Sequence, residues 1–113
     1  MTTITTGQLG QSQAESYLVL MGYKIVETNF RTKMGEIDII AKENEQLVFV
    51  EVKYRRSANF GSGFEAVNRK KLAKISLVAD QYLKLKKIRP SCRIDVVSID
   101  GVKIRIFKNV LPI

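Results

Sequence analysis

Residues 35–54 have the sequence GEIDIIAKENEQLVFVEVKY, in which two apolar segments flank a short polar turn. The second segment, residues 46–54, is rich in β-branched and aromatic side chains, which is typical of a strand in the middle of a sheet. The first segment, residues 36–42, has the same character and is separated from it by residues 43–45. We therefore predict that two neighbouring strands form a hairpin, and that the rest of the fold is built around it.

The flanking sequence predicts two helices and three more strands. Helical spacing of apolar residues predicts helices at about 6–21 and 64–85, and residues 23–30, 92–99 and 102–107 are predicted strands, with a loop at 55–63 and a turn at Asp100-Gly101. A strand, a helix and a strand in succession require one parallel pair. We expect an α/β fold in the order αβββαββ, a mixed sheet of four to five strands flanked by helices, as one domain over residues 1–113.

The hairpin turn predicts which side chains face each other. A two-residue turn at 44–45 pairs residues whose numbers sum to 89, which places Asp38 opposite Glu51 and Glu36 opposite Lys53. Two carboxylates opposed on one face of a sheet repel each other unless a proton or a cation lies between them. The sequence therefore predicts an acidic pair that needs a counter-charge.

A divalent cation satisfies this requirement. Mg²⁺, or Mn²⁺ in its place, binds one or two carboxylates and completes its shell with water and phosphate oxygens. Lys53 shares the face of Glu51 and would place a positive charge beside a scissile phosphate. Such a site could hydrolyse a phosphodiester. The alternative is that Glu51 and Lys53 form an ordinary ion pair at a strand end, with Asp38 solvated.

Composition excludes several other chemistries. The 113 residues include no histidine, which excludes a histidine base or metal ligand, and a single cysteine, Cys92, which excludes an intrachain disulfide and fits a reducing compartment. The N-terminal residues have neither the basic nor the apolar region of a secretory signal, and no apolar run reaches the ~18 residues that span a bilayer. We expect a cytoplasmic protein that does not enter membranes.

The positive charge is concentrated in the second half of the chain. The formal net charge is +8, and residues 61–90 alone carry eight basic and two acidic residues, net +6. This concentration suggests a polyanionic partner, nucleic acid before membrane, although a solvated helix face would have the same composition. The candidate phosphate contacts are Arg55, Arg56, Arg69, Lys70, Lys71 and Lys74.

Several stretches also resemble a known family, the bacterial YraN-type family. The matching stretches are GQLGQSQAESYL at 7–18, the Gly22-Tyr23 step, NFRTKMGEIDIIA at 29–41, LVFVEVKYR at 47–55, FGSGFEAVNRKK at 60–71 and CRIDVV at 92–97. That family in turn resembles the restriction-endonuclease-like PD-(D/E)xK superfamily, and within it the archaeal Holliday-junction resolvases. The fold of that superfamily, a helix, three strands, a helix and a strand, agrees with the predicted order of elements.

The resemblance implies a role for each acidic candidate. Asp38 takes the place of the motif aspartate, Glu51 that of the second acidic ligand, and Lys53 that of the motif lysine. Glu15 takes the place of the first-helix glutamate of resolvase-type members, which would assist or bind a second ion. Ile37 stands where the motif has its proline, a substitution that is widespread in the superfamily.

Three hypotheses follow for the function. The first is a Mg²⁺- or Mn²⁺-dependent nuclease acting on DNA, including branched DNA, and a two-fold symmetric junction would then call for a homodimer. The second is a nucleic-acid-binding or DNA-processing partner module that keeps the nuclease fold without catalysis. The third is a structural or assembly protein without a nucleic-acid role.

Overall fold

The protein has a five-stranded mixed sheet with a helix on each face, as seen in a computed structural model that describes residues 6–55 and 69–112. The elements are α1 (Thr6–Leu20), β1 (Lys24–Thr32), β2 (Gly35–Glu43), β3 (Gln46–Arg55), α2 (Arg69–Lys86), β4 (Ser91–Asp100) and β5 (Lys103–Pro112). The strands lie in the order β1-β2-β3-β4-β5; β3 and β4 are parallel and the other pairs are antiparallel. This confirms the predicted fold class and element order.

The β2–β3 hairpin has the predicted register. Its paired residues run from Glu43 and Gln46 to Ile39 and Val50, and the residue numbers of each pair sum to 89. Asn44 in the turn has a φ of 55°, in the left-handed region that asparagine tolerates better than most residues. The hairpin therefore brings Asp38 and Glu51 to the same end of the sheet.

Strand β2 is irregular at Asp38. Ile37 and Ile40 pack in the same cluster, although residues three apart in a regular strand face opposite sides. On the neighbouring β1, Asn29 has a φ of 53°. The Asp38 carboxylate accepts a hydrogen bond from the backbone N–H of Val52 at 2.8 Å. This bond ties the acidic side chain to β3 beyond the last regular pair of the hairpin.

Two apolar clusters hold the helices on opposite faces of the sheet. On the α1 side, Ala14 and Leu18 pack with Val48 and Val50 of β3. On the α2 side the alternate β3 residue Phe49 packs under the helix. The buried residues of α2 are Leu72, Ile75, Val78, Ala79 and Tyr82. These residues belong to the apolar residues at helical spacing from which the helix was predicted; the predicted start of the helix near residue 64 lies outside the described residues. Within the described part of the chain, no helix has the length and apolar character needed to span a bilayer.

Several boundaries differ from the predictions. Arg55 is the last residue of β3 and not part of a loop. The turn between β4 and β5 is formed by Gly101 and Val102, because Asp100 still pairs with Lys103. Strand β5 also continues to Pro112 instead of ending at residue 107. Tertiary pairing with β4 extends it, which the local sequence does not show.

A buried polar network is centred on Asp95 of β4 and reaches the turn of the β2–β3 hairpin through Arg93 and Glu43. Asp95 is fully buried, and its carboxylate accepts hydrogen bonds from Arg93 Nε at 2.9 Å, Tyr23 Oη at 3.0 Å and the N–H of Asn109 at 2.9 Å. Arg93 also donates to Glu43. The network satisfies the charges that β4 buries between its neighbours, whereas the sequence predicted only a strand at 92–99.

Helix α1 approaches β3 closely through Gly10. A Cβ atom at this position would lie 2.7 Å from Cβ of Tyr54 and 2.8 Å from its Cγ. Real Cβ atoms do not come this close, so only glycine allows the contact without a shift of the helix. Gly10 thus sets how α1 lies over the end of β3 that carries the acidic residues.

Gly10→Ala should therefore destabilise the protein, although alanine is the better helix former by about 1 kcal/mol. Overpacking against Tyr54 should lower the free energy of unfolding by about 1–3 kcal/mol, measured by urea denaturation. Ser16→Ala, at an exposed position of the same helix, is the matched control and should leave stability unchanged or raise it slightly. Equal stability of Gly10→Ala and the wild type would contradict the close contact.

Candidate active site

An open cavity of about 530 Å³ lies between the β2–β3 hairpin and the N-terminal half of α2. The sheet contributes acidic residues to it and the helix contributes lysines. The lining residues are Gly35, Glu36, Asp38, Glu51, Lys70, Lys71, Lys74 and Ile75. Two of the predicted metal ligands and three of the predicted phosphate contacts therefore surround one cavity.

Glu51 is buried at the floor of this cavity and has a lysine as its partner. The residue is only 5% exposed, because Phe49, two residues earlier in β3, and Val96, beside it on β4, belong to the core. Its Oε1 lies 2.7 Å from Nζ of Lys71. Buried carboxylates require such a partner, since an isolated charge is strongly disfavoured away from water.

Lys71 is positioned by the packing of α2. It precedes Leu72, whose burial together with Ile75 presses the first described turns of the helix against the sheet. Burial lowers the pKa of the Lys71 amine, but its hydrogen bond to Glu51 and its attraction to Asp38 raise it more, so the pKa lies above its ordinary value. Lys71 is therefore a charged ammonium group at neutral pH.

Asp38 lies beside Glu51 and resists ionisation. Burial, and then the negative charge of Glu51, raise the pKa of Asp38 from 3.8 to about 6, while the hydrogen bond from the Val52 N–H and the charge of Lys71 act in the opposite direction. The repulsion between the two carboxylates is thus reduced in two ways. A proton neutralises Asp38 at mildly acidic pH, and the ammonium group of Lys71 supplies a positive charge.

The donor set fits a small divalent cation. Asp38 and Glu51 are oxygen ligands in a cavity that is open to solvent, and Mg²⁺ commonly takes one or two carboxylates and fills its other positions with water and phosphate oxygens. In the described part of the chain, no group of three or more carboxylate, cysteine or histidine side chains is close enough to hold a metal. Among the described residues, the site therefore offers Asp38 and Glu51 as its pair of candidate ligands.

Glu15 lies apart from this arrangement in the structure. It belongs to α1, which covers the face of the sheet opposite α2, and its carboxylate accepts a hydrogen bond from Gln11 Nε2 at 3.4 Å. Because no three-carboxylate group forms among residues 6–55 and 69–112, the structure does not bring Glu15 together with Asp38 and Glu51. Its role as a further ligand stays a prediction.

Glu36 and Lys53 do not face each other as the register had suggested. Glu36 pairs with Arg31 of β1, and its Oε1 lies 3.2 Å from Arg31 Nε. Lys53 is partly buried on β3, where it pairs with Ser98 of β4. The reason is that the pairing of β2 with β3 ends at Ile39 and Val50. Beyond these residues β2 pairs with β1, and β3 pairs with β4.

The basic candidates divide into two groups. Arg69, Lys70 and Lys74 are exposed on α2, and the two lysines line the cavity wall. The backbone of Arg55 ends β3, but its side chain and the whole of Arg56 lie outside the described residues. Sequence reasoning placed Lys71 with the phosphate contacts and missed its ion pair, because no local pattern shows which helix residue reaches Glu51.

The comparison with known proteins identifies the family. The family model described as "Uncharacterised protein family UPF0102" matches residues 10–99. The chain belongs to this family. The matched range contains the acidic pair, Lys53, Lys71 and Glu15, and it confirms the family-level resemblance drawn from the sequence.

Relatives in the UPF0102 family match almost the whole chain. A UPF0102 protein of Shewanella loihica is 41% identical over 106 residues, which is 94% of this chain and 93% of the relative. One of Fusobacterium nucleatum is 40% identical over 112 residues, 98% of this chain and 94% of the relative. One of Hahella chejuensis is 46% identical over 96 residues, 84% of this chain and 77% of the relative.

Asp38→Asn should stabilise the metal-free protein above pH 6. The raised pKa of Asp38 means that the folded protein binds this proton more tightly than the unfolded chain, so its contribution to stability is present at low pH and is lost as pH rises from 3.8 to about 6. Asparagine removes the ionisation, and its Oδ1 can still accept the bond from Val52.

The measurement is urea denaturation in the presence of EDTA across this pH range. The stability of Asp38→Asn relative to the wild type should rise with pH and level off at a gain of about 1–3 kcal/mol near pH 8. Asp80→Asn, at an exposed position of α2, is the control and should show no such gain. A variant that is less stable than the wild type at pH 8 would contradict the raised pKa.

Proposed function

We propose that the protein is a divalent-metal-dependent nuclease that cleaves DNA. The observation that carries the proposal is the acidic pair of half-buried Asp38 and buried Glu51 in a cavity whose helix wall bears Lys70, Lys71 and Lys74. Carboxylates that bind a hard cation, next to ammonium groups that bind phosphate, form the combination that phosphodiester hydrolysis needs.

In this proposal each residue has a distinct task. Asp38 and Glu51 hold Mg²⁺ or Mn²⁺, which when bound neutralises phosphate charge and lowers the pKa of its water. Lys70 and Lys74 bind the sugar–phosphate backbone at the rim of the cavity. Lys53, two residues beyond Glu51 on β3, stabilises the charge that develops on the pentavalent phosphate. The absence of histidine from the sequence is compatible with this chemistry, since no histidine is required.

The resemblance to the PD-(D/E)xK superfamily supports the same proposal. The observed order of a helix, three strands, a helix and a strand agrees with that fold. The further likeness to archaeal Holliday-junction resolvases makes branched DNA the first substrate to test. A two-fold symmetric junction would require two active sites, so a homodimer belongs to this version of the proposal.

A non-catalytic nucleic-acid-binding module is the second candidate, and one contact favours it. Lys71 already supplies a positive charge at 2.7 Å from Glu51, so the buried carboxylate is compensated within the protein itself. In this case the exposed residues Arg69, Lys70 and Lys74 would hold a nucleic acid, and the acidic pair would serve only the structure.

Cleavage assays separate these candidates. The purified protein should cleave a four-way junction or a linear duplex in the presence of Mn²⁺ or Mg²⁺, measured on denaturing gels. Asp38→Asn and Glu51→Gln should each lower the rate by about 100-fold or more, because each removes a group that stabilises charge at the reacting phosphate. Glu45→Gln, in the exposed hairpin turn, makes the same change in net charge and should leave the rate unaltered.

Each other outcome has a defined meaning. Cleavage that survives both substitutions would indicate a contaminating nuclease and contradict the proposal. Binding without cleavage would favour the non-catalytic module. The absence of both cleavage and binding would favour the structural or assembly hypothesis.

The lysines of the cavity wall make a separate prediction about salt. Each phosphate contact releases bound counterions, so the affinity for duplex DNA should fall steeply with salt, and Lys74→Gln should reduce the slope of log K against log salt by about 1. Fluorescence anisotropy over a salt series measures this slope. Lys42→Gln, an exposed lysine of β2 outside the cavity, is the control, and an equal loss of slope in both variants would contradict a specific role of Lys74.

A further inference from the structure

The contact between Lys71 and Glu51 carries a further inference, which rests on the proposed metal site. The ammonium nitrogen of Lys71 lies 2.7 Å from Oε1 of a carboxylate that is almost fully buried. The side chain of Lys71 is itself 45% exposed. One partner of the ion pair is thus held by the core of the sheet, while the other reaches in from the solvent side of the cavity.

This geometry makes the ammonium group and a divalent cation competitors. Both are attracted to the same two carboxylates, since the charges of Glu51 and Asp38 both act on Lys71. A cation bound to Glu51 would repel a neighbouring ammonium group, because like charges in a partly buried site are poorly screened. The flexible lysine stem allows the ammonium group to move, whereas Glu51 in β3 is confined by its neighbours.

We propose that Lys71 is the internal counter-ion of the acidic pair in the metal-free protein and is displaced when a divalent cation binds. Lys71 is then a positioning residue that sets the affinity of the site for metal. It keeps the carboxylates compensated when metal is scarce, and it limits metal binding to ions that compete with an ammonium group. The displaced ammonium group stays in the cavity beside Lys70 and Lys74, which line the same wall.

Calorimetric titration with Mn²⁺ at neutral pH tests this exchange. Lys71→Met removes the charge but keeps a side chain of similar length, and it should bind Mn²⁺ about tenfold more tightly than the wild type, within the usual range of coupling between neighbouring sites. Lys71→Arg keeps the charge and should bind like the wild type. Lys74→Met, on the same helix and cavity wall, is the matched control and should change the Mn²⁺ affinity much less.

Thermal unfolding provides a second readout that does not depend on the titration. Without metal, Lys71→Met leaves the buried Glu51 carboxylate without its ammonium partner and should melt at a lower temperature than the wild type. Mn²⁺ should raise the melting temperature of Lys71→Met by more than that of the wild type. If this variant does not fold without metal, recovery of its cooperative transition by Mn²⁺ supports the exchange, and failure to recover it contradicts the exchange.

The results distinguish a failure of this inference from a failure of the proposed function. A wild type that binds Mn²⁺, together with a Lys71→Met variant that binds it equally or more weakly, overturns the exchange and leaves the nuclease proposal intact. Mn²⁺ binding by Lys71→Met alone contradicts both the displacement of Lys71 and the nuclease proposal, because Lys71 then excludes metal from the native site. Binding by neither protein overturns both.

Discussion

The register of the β2–β3 hairpin is the constraint on which the site depends. A two-residue turn pairs Glu43 with Gln46, and the pairing runs to Ile39 and Val50. Asp38 and Glu51 follow directly beyond this last pair and line the same cavity. Two acidic side chains are thereby placed at the edge of an apolar layer, where charge is poorly solvated. The surrounding structure has to supply positive charge to this point, and the N-terminal half of α2 does so.

The parallel pairing of β3 and β4 explains why a basic helix lies over the acidic pair. A parallel connection must cross the sheet, so the chain between the two strands returns over one face as α2. The buried face of the helix packs on Phe49, and its first described turns then lie above Glu51. Helix α1, held close to β3 by Gly10, lies on the opposite face of the sheet. The helix that borders the cavity is therefore α2.

The ion pair between Lys71 and Glu51 connects the two functional hypotheses. Only Glu51 of this pair is buried, and desolvation of its carboxylate offsets much of the attraction to Lys71, so the pair alone is weak grounds for stability. The two hypotheses differ in whether the carboxylates have another partner in the functional state. In the nuclease hypothesis that partner is a divalent cation, and in the binding-module hypothesis Lys71 remains in place.

Much of the fold could be predicted from local sequence, whereas the details of the site could not. The alternation of strand residues and the length of the turn determine the hairpin register, and the helical spacing determines the buried face of α2, because both are properties of neighbouring residues.

The partners of Glu51, Glu36 and Asp95 are Lys71, Arg31 and Arg93. Only the tertiary structure decided the partners of Glu51 and Glu36, because contacts between elements depend on how α2 docks on the sheet and where the pairing of β2 with β3 ends. Arg93 and Asp95 lie two residues apart on one strand, but only the packing of the sheet shows that their pair is buried.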